Sequence, residues 1–279
     1  MKDTEIRTQV REGYGKIAKE SGLSCCNTNA KACGCNSNQS AKDISQSIGY
    51  SAEDVNNVPD GANLGLGCGN PIALASLKEG ETALDLGSGA GFDCFLAANK
   101  VGKKGKVIGV DMTPEMLEKA RENAHKGNYT NVEFRMGEIE NLPVADNTVD
   151  IIISNCVINL SVDKKRVFKE AFRVLKPGGR LMVSDIVLTK ALPDMVRQSV
   201  QAYIGCIAGA ALESEYLGAI EGAGFQDVRV KDEAGIAADS MENDPIASAI
   251  AEDLKLTGEQ IADLAGTIKS IRVAAVKPK

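Results

Sequence analysis

Residues 82–93 read Thr-Ala-Leu-Asp-Leu-Gly-Ser-Gly-Ala-Gly-Phe-Asp, and this stretch decides the fold. Thr82–Leu86 is a short, mostly apolar run, the pattern of a strand buried on both faces. Gly87, Gly89 and Gly91 then break the strand, and a helix opens at Phe92 and runs towards Val101. Glycines at such a turn let the backbone come close to a ligand. Lys106–Asp111 is a second strand. Thr113-Pro114 supplies a cap and a proline at the first helical position, opening a helix that ends near Ala124. Val132–Met136 is a third strand, and Val149–Ser154 an apolar, central fourth. Lys164–Leu175 is a helix stopped by Pro177-Gly178-Gly179, and Arg180–Ile186 is a fifth strand. Strands alternating with helices predict right-handed crossovers and a parallel sheet.

Beyond the fifth strand, the pattern predicts helices near Met195–Ala210 and Glu213–Ala223 and a strand near Asp227–Lys231. A helical stretch over Ile246–Ile268 and a closing strand over Ser270–Val276 follow. Upstream, Ile6, Val10, Tyr14 and Ile17 recur at helical spacing, so Thr4–Ser21 should form a first helix. Cys25, Cys26, Cys33 and Cys35 then crowd a polar stretch that has little to bury and is expected to be mobile. Ser40–Asn57 reads as a short polar lead-in. Residues 1–56 are therefore expected to be peripheral: an N-terminal helix and a cysteine-rich segment. Residues 57–279 form the main domain.

Composition narrows the function. The chain has 279 residues, a net charge of −6, only 4% aromatic residues and no tryptophan, which argues against a nucleic-acid binder. No apolar run reaches the roughly 18–20 residues of a membrane span. The N-terminus mixes both charge signs without an apolar signal core, so no export signal, and a cytoplasmic location, are expected. In a reducing compartment the eight cysteines are expected to bind metal, act in catalysis or lie buried, not to form disulfides.

The glycine-rich turn carries the first chemistry. Asp111 ends the second strand about 20 residues after it, where a carboxylate can accept from both hydroxyls of a ribose. The turn is Gly-x-Gly-x-Gly and not the dinucleotide pattern. A pyrophosphate needs bare amides at the helix N-terminus, but Phe92 and Asp93 stand there, and Asp93 would repel a phosphate. A cationic, phosphate-free cofactor fits better. S-adenosylmethionine carries a sulfonium, an ammonium and a carboxylate, and no phosphate.

On these residues the chain resembles a known superfamily. LDLGSGAGFD (84–93), VIGVDM (107–112), GEIENLP (137–143) and VLKPGG (174–179) are similar to successive motifs of class I S-adenosylmethionine-dependent methyltransferases. The resemblance implies an α/β, Rossmann-like sheet of seven mostly parallel strands with helices on both faces, the last strand inserted antiparallel. It also implies that Asp85, Gly87, Ser88 and Gly89 border the methionine moiety and that Asp111 binds the ribose. Met112 would then pack on the adenine, Glu138 and Ile139 would meet its edge, and Asn155 would join the cofactor-binding set.

Single cysteines carry the second chemistry. Cys68 precedes the first strand, Cys156 follows the fourth, and Cys206 lies in a predicted small-residue helix after the fifth. Loops beyond the C-terminal ends of parallel strands form the ligand crevice. A free cysteine is by default a small buried hydrophobe, and Cys94, inside the first crossover helix, is read that way. Three thiols beside a methyl donor instead suggest a thiophilic substrate. NLGLGCGNP (63–71), SNCVINLS (154–161) and YIGCIAGA (203–210) are similar to segments of arsenite S-adenosylmethionine methyltransferases, as is the cysteine-rich N-terminal segment. The resemblance implies that Cys68, Cys156 and Cys206 bind trivalent arsenic delivered as a thiol conjugate. It further implies a cellular thiol or thioredoxin-type reductant as partner, and substrate-binding insertions near 190–212 and 237–268. Leu66 departs from the pattern, since eukaryotic members carry an aromatic residue there.

An arsenic lone pair attacks a methyl group without releasing a proton, so no general base is required. The single histidine, His125, is expected on a surface helix. Asn155, Asn159 and Glu213 are candidates for tuning the pocket, although such residues are more often structural. Two alternatives stand beside this reading. One is a methyltransferase for another small molecule, with Cys25, Cys26, Cys33 and Cys35 holding structural zinc; the spacing of those four is poor for it. The other is a metalloid-binding protein without turnover.

Overall fold

The strand at 82–86 and its apolar partners assemble as the crossover pattern requires. In the computed structural model, residues 3–20, 40–71, 75–235, 250–252 and 254–279 are described. In chain order the helices are α1 Asp3–Glu20, α2 Ala41–Ser47, α3 Ala52–Asn56, α4 Phe92–Val101 and α5 Pro114–Lys126. They continue with α6 Lys164–Val174, α7 Asp194–Arg197, α8 Val200–Ile204, α9 Glu213–Gly222 and α10 Gly258–Thr267. The strands are β1 Thr82–Leu86, β2 Lys106–Asp111, β3 Val132–Met136, β4 Val149–Asn155, β5 Leu175–Leu188, β6 Gln226–Gly235 and β7 Ile268–Val276.

All seven strands form one sheet in the order β3-β2-β1-β4-β5-β7-β6. The first five are parallel, and β7 runs antiparallel to both β5 and β6. The chain reverses its direction of travel between β1 and β4. Outside the carboxyl ends of those strands an open α/β sheet forms its ligand crevice, and Leu86, Asp111 and Asn155 end there.

The alternation of strand side chains builds two cores. Leu84, Leu86, Ile108, Val110 and Ile152 face Phe168, Tyr216 and Phe225 on one side. Ala83, Val107, Ile151 and Ile153 face Phe95, Leu96 and Leu117 on the other. Each fully buried Leu, Ile or Phe contributes roughly 1.5–3 kcal/mol of transfer free energy. A third cluster joins Val10 of α1 to Cys156, Leu160, Ile186, Tyr203, Cys206 and Ile207 over the crevice.

Several expectations need correction. The described residues among 1–56 are not peripheral: α1 packs against α5 and α8, Val10 is buried, and Tyr50 and Val55 belong to the core. The polar lead-in forms α2 and α3, each opened by a capping box in which Ser40 and Asp43, or Ser51 and Asp54, satisfy each other's backbone donors. Pro177-Gly178-Gly179 falls within the span of β5. Val149 pairs with Leu175 and Ile151 already with Arg180, so the intervening residues bulge, as proline in a sheet demands. The helix expected over Met195–Ala210 is two short helices and a turn, interrupted where Ser199 caps α8 and Gly205 ends it. Of the described part of the stretch Ile246–Ile268, residues 250–252 are helical and α10 covers Gly258–Thr267, opened by Thr257 and Gln260, with a break between them. The cysteine-rich stretch with Cys25, Cys26, Cys33 and Cys35, and part of the insertion near 237–268, lie outside the described residues.

Candidate active site

The glycine-rich turn is built by sterics. Gly91, at φ +96°, starts α4; a Cβ there would stand 2.7 Å from the Phe95 ring and 2.9 Å from that of Phe134. At Gly87, φ +71°, a Cβ would collide with the Val157 side chain. The turn exposes the Gly89 amide, which donates to Asp111 Oδ2 at 2.9 Å, while Thr113 N donates to Oδ1 at 2.8 Å. The carboxylate of Asp111 is therefore fixed in orientation at the end of β2.

This turn floors a cavity of about 940 Å³. Asp85, Gly87, Ser88, Gly89, Asp111, Met112, Ile139 and Asn155 line it, as do Cys68, Cys156 and Cys206. Glu138 does not: its carboxylate turns to Arg7 Nη1 at 3.7 Å, and its neighbours Gly137, Ile139 and Glu140 make the wall. Asn155 is committed to holding the segment before β1. Its Oδ1 accepts from Cys68 N at 3.0 Å, and its Nδ2 donates to Gly69 O and to the Tyr50 hydroxyl, each at 2.9 Å.

The wall carries several buried acidic side chains. Asp93, read as the carboxylate that would repel a phosphate at the start of α4, is buried and accepts from the Tyr50 hydroxyl at 2.6 Å. Burial pushes its carboxyl up to about 6. Burial, reinforced by Asp93, raises Asp85 well above the usual carboxylate range, and burial also raises Asp111. Buried carboxylates without a counter-ion are costly, and a cation beside them lowers that cost. The Ser88 hydroxyl is also buried without a partner. Phosphate-free, cationic S-adenosylmethionine suits this wall: carboxylates for its positive charges, a fixed Asp111 for its ribose, a glycine turn for close approach.

The structure brings the three cysteines together from three distant segments. Cys156 and Cys206 are both buried, and both adopt left-handed backbone, φ +59° and +62°. A non-glycine residue in that region costs on the order of 1–2 kcal/mol, and two such cysteines at one wall mark a built site. Cys206 Sγ donates to the Cys156 carbonyl oxygen at 2.8 Å. One sulfur each from Cys68 and Cys156 and an oxygen of Asp185 lie within 4.8 Å of one another. The neighbouring Cys206 and Cys68 thiols, then burial, push the Cys156 thiol well above its ordinary range. The Cys156 thiol thus keeps its proton until an electrophile takes the sulfur.

Other sequence candidates stand elsewhere. Cys94 is buried in α4, where Sγ donates to Asp85 Oδ2 at 3.2 Å. His125 is exposed. Asn159 donates to Asp185 Oδ1 at 2.8 Å, and Glu213 pairs with Lys269 at 2.7 Å; neither lines the cavity. Four residues went unread as site residues. Arg7 and Tyr14 of α1 are wall residues, and the Tyr14 hydroxyl donates to Ile204 O at 3.3 Å and lies 4.0 Å from Cys206 Sγ. Glu140 accepts from Ser161 Oγ at 2.7 Å, and Asp185 lies behind the thiols. The helical stripe containing Tyr14 was the available signal for α1; no local pattern marks Asp185.

A methyltransferase-domain family matches residues 77–232. The arsenite methyltransferase of Halobacterium salinarum is 52% identical over 236 residues, which are 82% of this chain and 60% of that protein. The human arsenite methyltransferase is 35% identical over 219 residues, 75% of this chain and 55% of that protein. The crystal structure of an arsenic(III) S-adenosylmethionine methyltransferase from Chlamydomonas reinhardtii superposes with a TM-score of 0.61 at 33% identity. That match covers 86% of this chain and 74% of the other. The chain belongs to the arsenite methyltransferase family. It spans 60% and 55% of the length of the two curated family members just named. The seven-stranded sheet with its antiparallel β7 is the class I methyltransferase fold. Among the described residues, no helix is long and apolar enough to cross a membrane.

Proposed function

We propose that this chain methylates trivalent arsenic held by its own cysteines. The observation that carries the proposal is the convergence of Cys68, Cys156 and Cys206 on the cavity that the glycine turn and Asp111 also line. S-adenosylmethionine, when bound, supplies an electrophilic methyl group. Cys156 and Cys206 hold arsenic through two sulfurs, and Cys68 serves as a third, exchangeable thiol. Trivalent arsenic on thiolates keeps a lone pair, which takes the methyl group with no proton to remove. The chain therefore needs no general base, and its task is to position nucleophile and methyl in line. Each methyl group replaces one sulfur ligand. Cys68 is accordingly needed for the first addition and dispensable for the next. Methyl transfer formally oxidises arsenic, so a cellular thiol or thioredoxin-type reductant is the expected partner.

The generic methyltransferase and the non-catalytic binder are separated from this reading by one assay. The protein is incubated with arsenite, glutathione and methyl-labelled S-adenosylmethionine, and arsenic species are resolved by chromatography. Labelled methylarsenic is the expected product. Its absence, with cofactor and arsenite both bound, would leave the non-catalytic binder.

A further inference from the structure

Cys68 and Cys156 share their corner of the cavity with a donor that methyl transfer does not use. Asp185, fully buried in β5, places a carboxylate oxygen within 4.8 Å of both sulfurs. Three groups aim that carboxylate: Asn159 Nδ2 at 2.8 Å, Ile186 N at 3.0 Å and the Tyr216 hydroxyl at 3.0 Å. Both cysteines are held through their backbones as well. Cys68 O accepts from Ser270 Oγ at 2.8 Å, and Cys156 N donates to Ser184 O at 2.8 Å. Cys206 stands outside this trio, its Sγ committed to the Cys156 carbonyl.

Donor chemistry sorts the ions that such a trio can hold. Trivalent arsenic keeps a lone pair, takes three ligands in a pyramid and favours soft sulfur over carboxylate oxygen. A filled-shell divalent cation, zinc or its heavier analogue cadmium, has no such lone pair. It takes four ligands at tetrahedral corners and accepts thiolate and carboxylate together. Two sulfurs at about 2.3 Å from one tetrahedral ion stand about 3.8 Å apart, so sulfurs within 4.8 Å of each other close on an ion with a shift of at most about 1 Å. The hydrogen bonds behind Asp185 are the outer partners that orient ligands in metal sites.

We propose that Cys68, Cys156 and Asp185 form a site for a zinc-class divalent cation, its fourth corner open to the cavity, and that this cation blocks arsenic by occupying two of its thiols. The blocking half rests on the arsenic reading; the cation site does not. Binding converts two thiols to thiolates and releases their two protons to solvent, together with the Asp185 proton wherever that carboxyl is protonated, with nothing oxidised or reduced.

The test uses the full chain with Cys25, Cys26, Cys33 and Cys35 changed to serine, so that those thiols cannot compete. Cadmium chloride is titrated by thiolate-to-metal absorbance, and arsenite binding is measured by equilibrium dialysis on the same preparation. One cadmium per chain, competitive with arsenite, is expected. Asp185→Asn should weaken cadmium at least tenfold and leave arsenite within twofold. Cys206→Ser should do the reverse, losing arsenite at least tenfold while cadmium stays within threefold. The cadmium-113 chemical shift of the protein with an intact site needs no further variant and should report two sulfurs plus oxygen. Unchanged cadmium affinity in a folded Asp185→Asn variant, or a shift reporting three sulfurs, would overturn the cation site. Cadmium bound as expected without any arsenite binding would uphold the site and remove the arsenic reading.

Discussion

Asp111 shows how much a single residue can decide. Its two carboxylate oxygens are already oriented by the Gly89 and Thr113 amides, so in the proposed site it would meet a ribose without reorganisation. Asp111→Ala should lower S-adenosylmethionine affinity at least tenfold, since each hydrogen bond to a charged acceptor contributes about 1.5–3 kcal/mol. Arsenite binding should persist, and calorimetry with each ligand separates the two. Unchanged cofactor affinity would take Asp111 out of the site. Asp111 was readable because it ends a strand one crossover after the glycine turn. Asp93 was read at the right position but with the wrong surroundings. Its neighbour Tyr50 comes from a segment that the sequence presents only as polar. Cys206 was legible as a thiol of interest, yet its left-handed turn was not, because small residues around it score equally well as helix.

At the scale of elements, α1 changes the picture most. Its stripe of Ile6, Val10, Tyr14 and Ile17 predicted a helix, but a stripe does not say what covers it. In the fold that face closes the cavity, with Arg7 near Glu138 and Glu140, and Tyr14 near Cys206. Tyr14→Phe keeps the ring and removes only the hydroxyl that bonds Ile204 O, an interaction of about 0.5–1.5 kcal/mol. The variant should fold normally and raise the KM for arsenite several-fold while leaving the KM for S-adenosylmethionine unchanged. Equal effects on both substrates would make Tyr14 a packing residue alone. The strands β1 to β4 were legible almost to the residue: β1, β2 and β4 are buried, mostly apolar runs, and β3 alternates apolar and charged residues. The ends of β5 were not, because the bulge around Pro177 depends on its pairing with β4.

The whole molecule carries its buried carboxylates as an electrostatic signature. Burial raises Asp93 to about 6 and Asp185 to about 7, while Asp85 rises with them. The folded state therefore holds protons that the unfolded chain has released, and stability of the ligand-free protein falls as pH rises through 6 and 7. The thermal midpoint should be higher at pH 5.5 than at pH 8. Carboxylates lowered by ion pairs, such as Glu133 at about 2, withdraw their support only below about pH 4.5. A cationic cofactor beside Asp85 and Asp93 reverses the trend, so S-adenosylmethionine should bind more tightly as pH rises through 6. A flat pH dependence of both quantities would mean that these carboxylates meet water. The cavity itself unites segments from α1 to β7, and its central claim is that its thiols are the arsenic site. The most direct measurement compares methylation of arsenite and of monomethylarsenite by the full chain and its Cys68→Ser, Cys156→Ser and Cys206→Ser variants. Serine offers a hard, protonated oxygen where a soft thiolate is needed. Cys156→Ser and Cys206→Ser should abolish both reactions, and Cys68→Ser should abolish only the first; near-normal turnover of both substrates by Cys156→Ser would contradict the account.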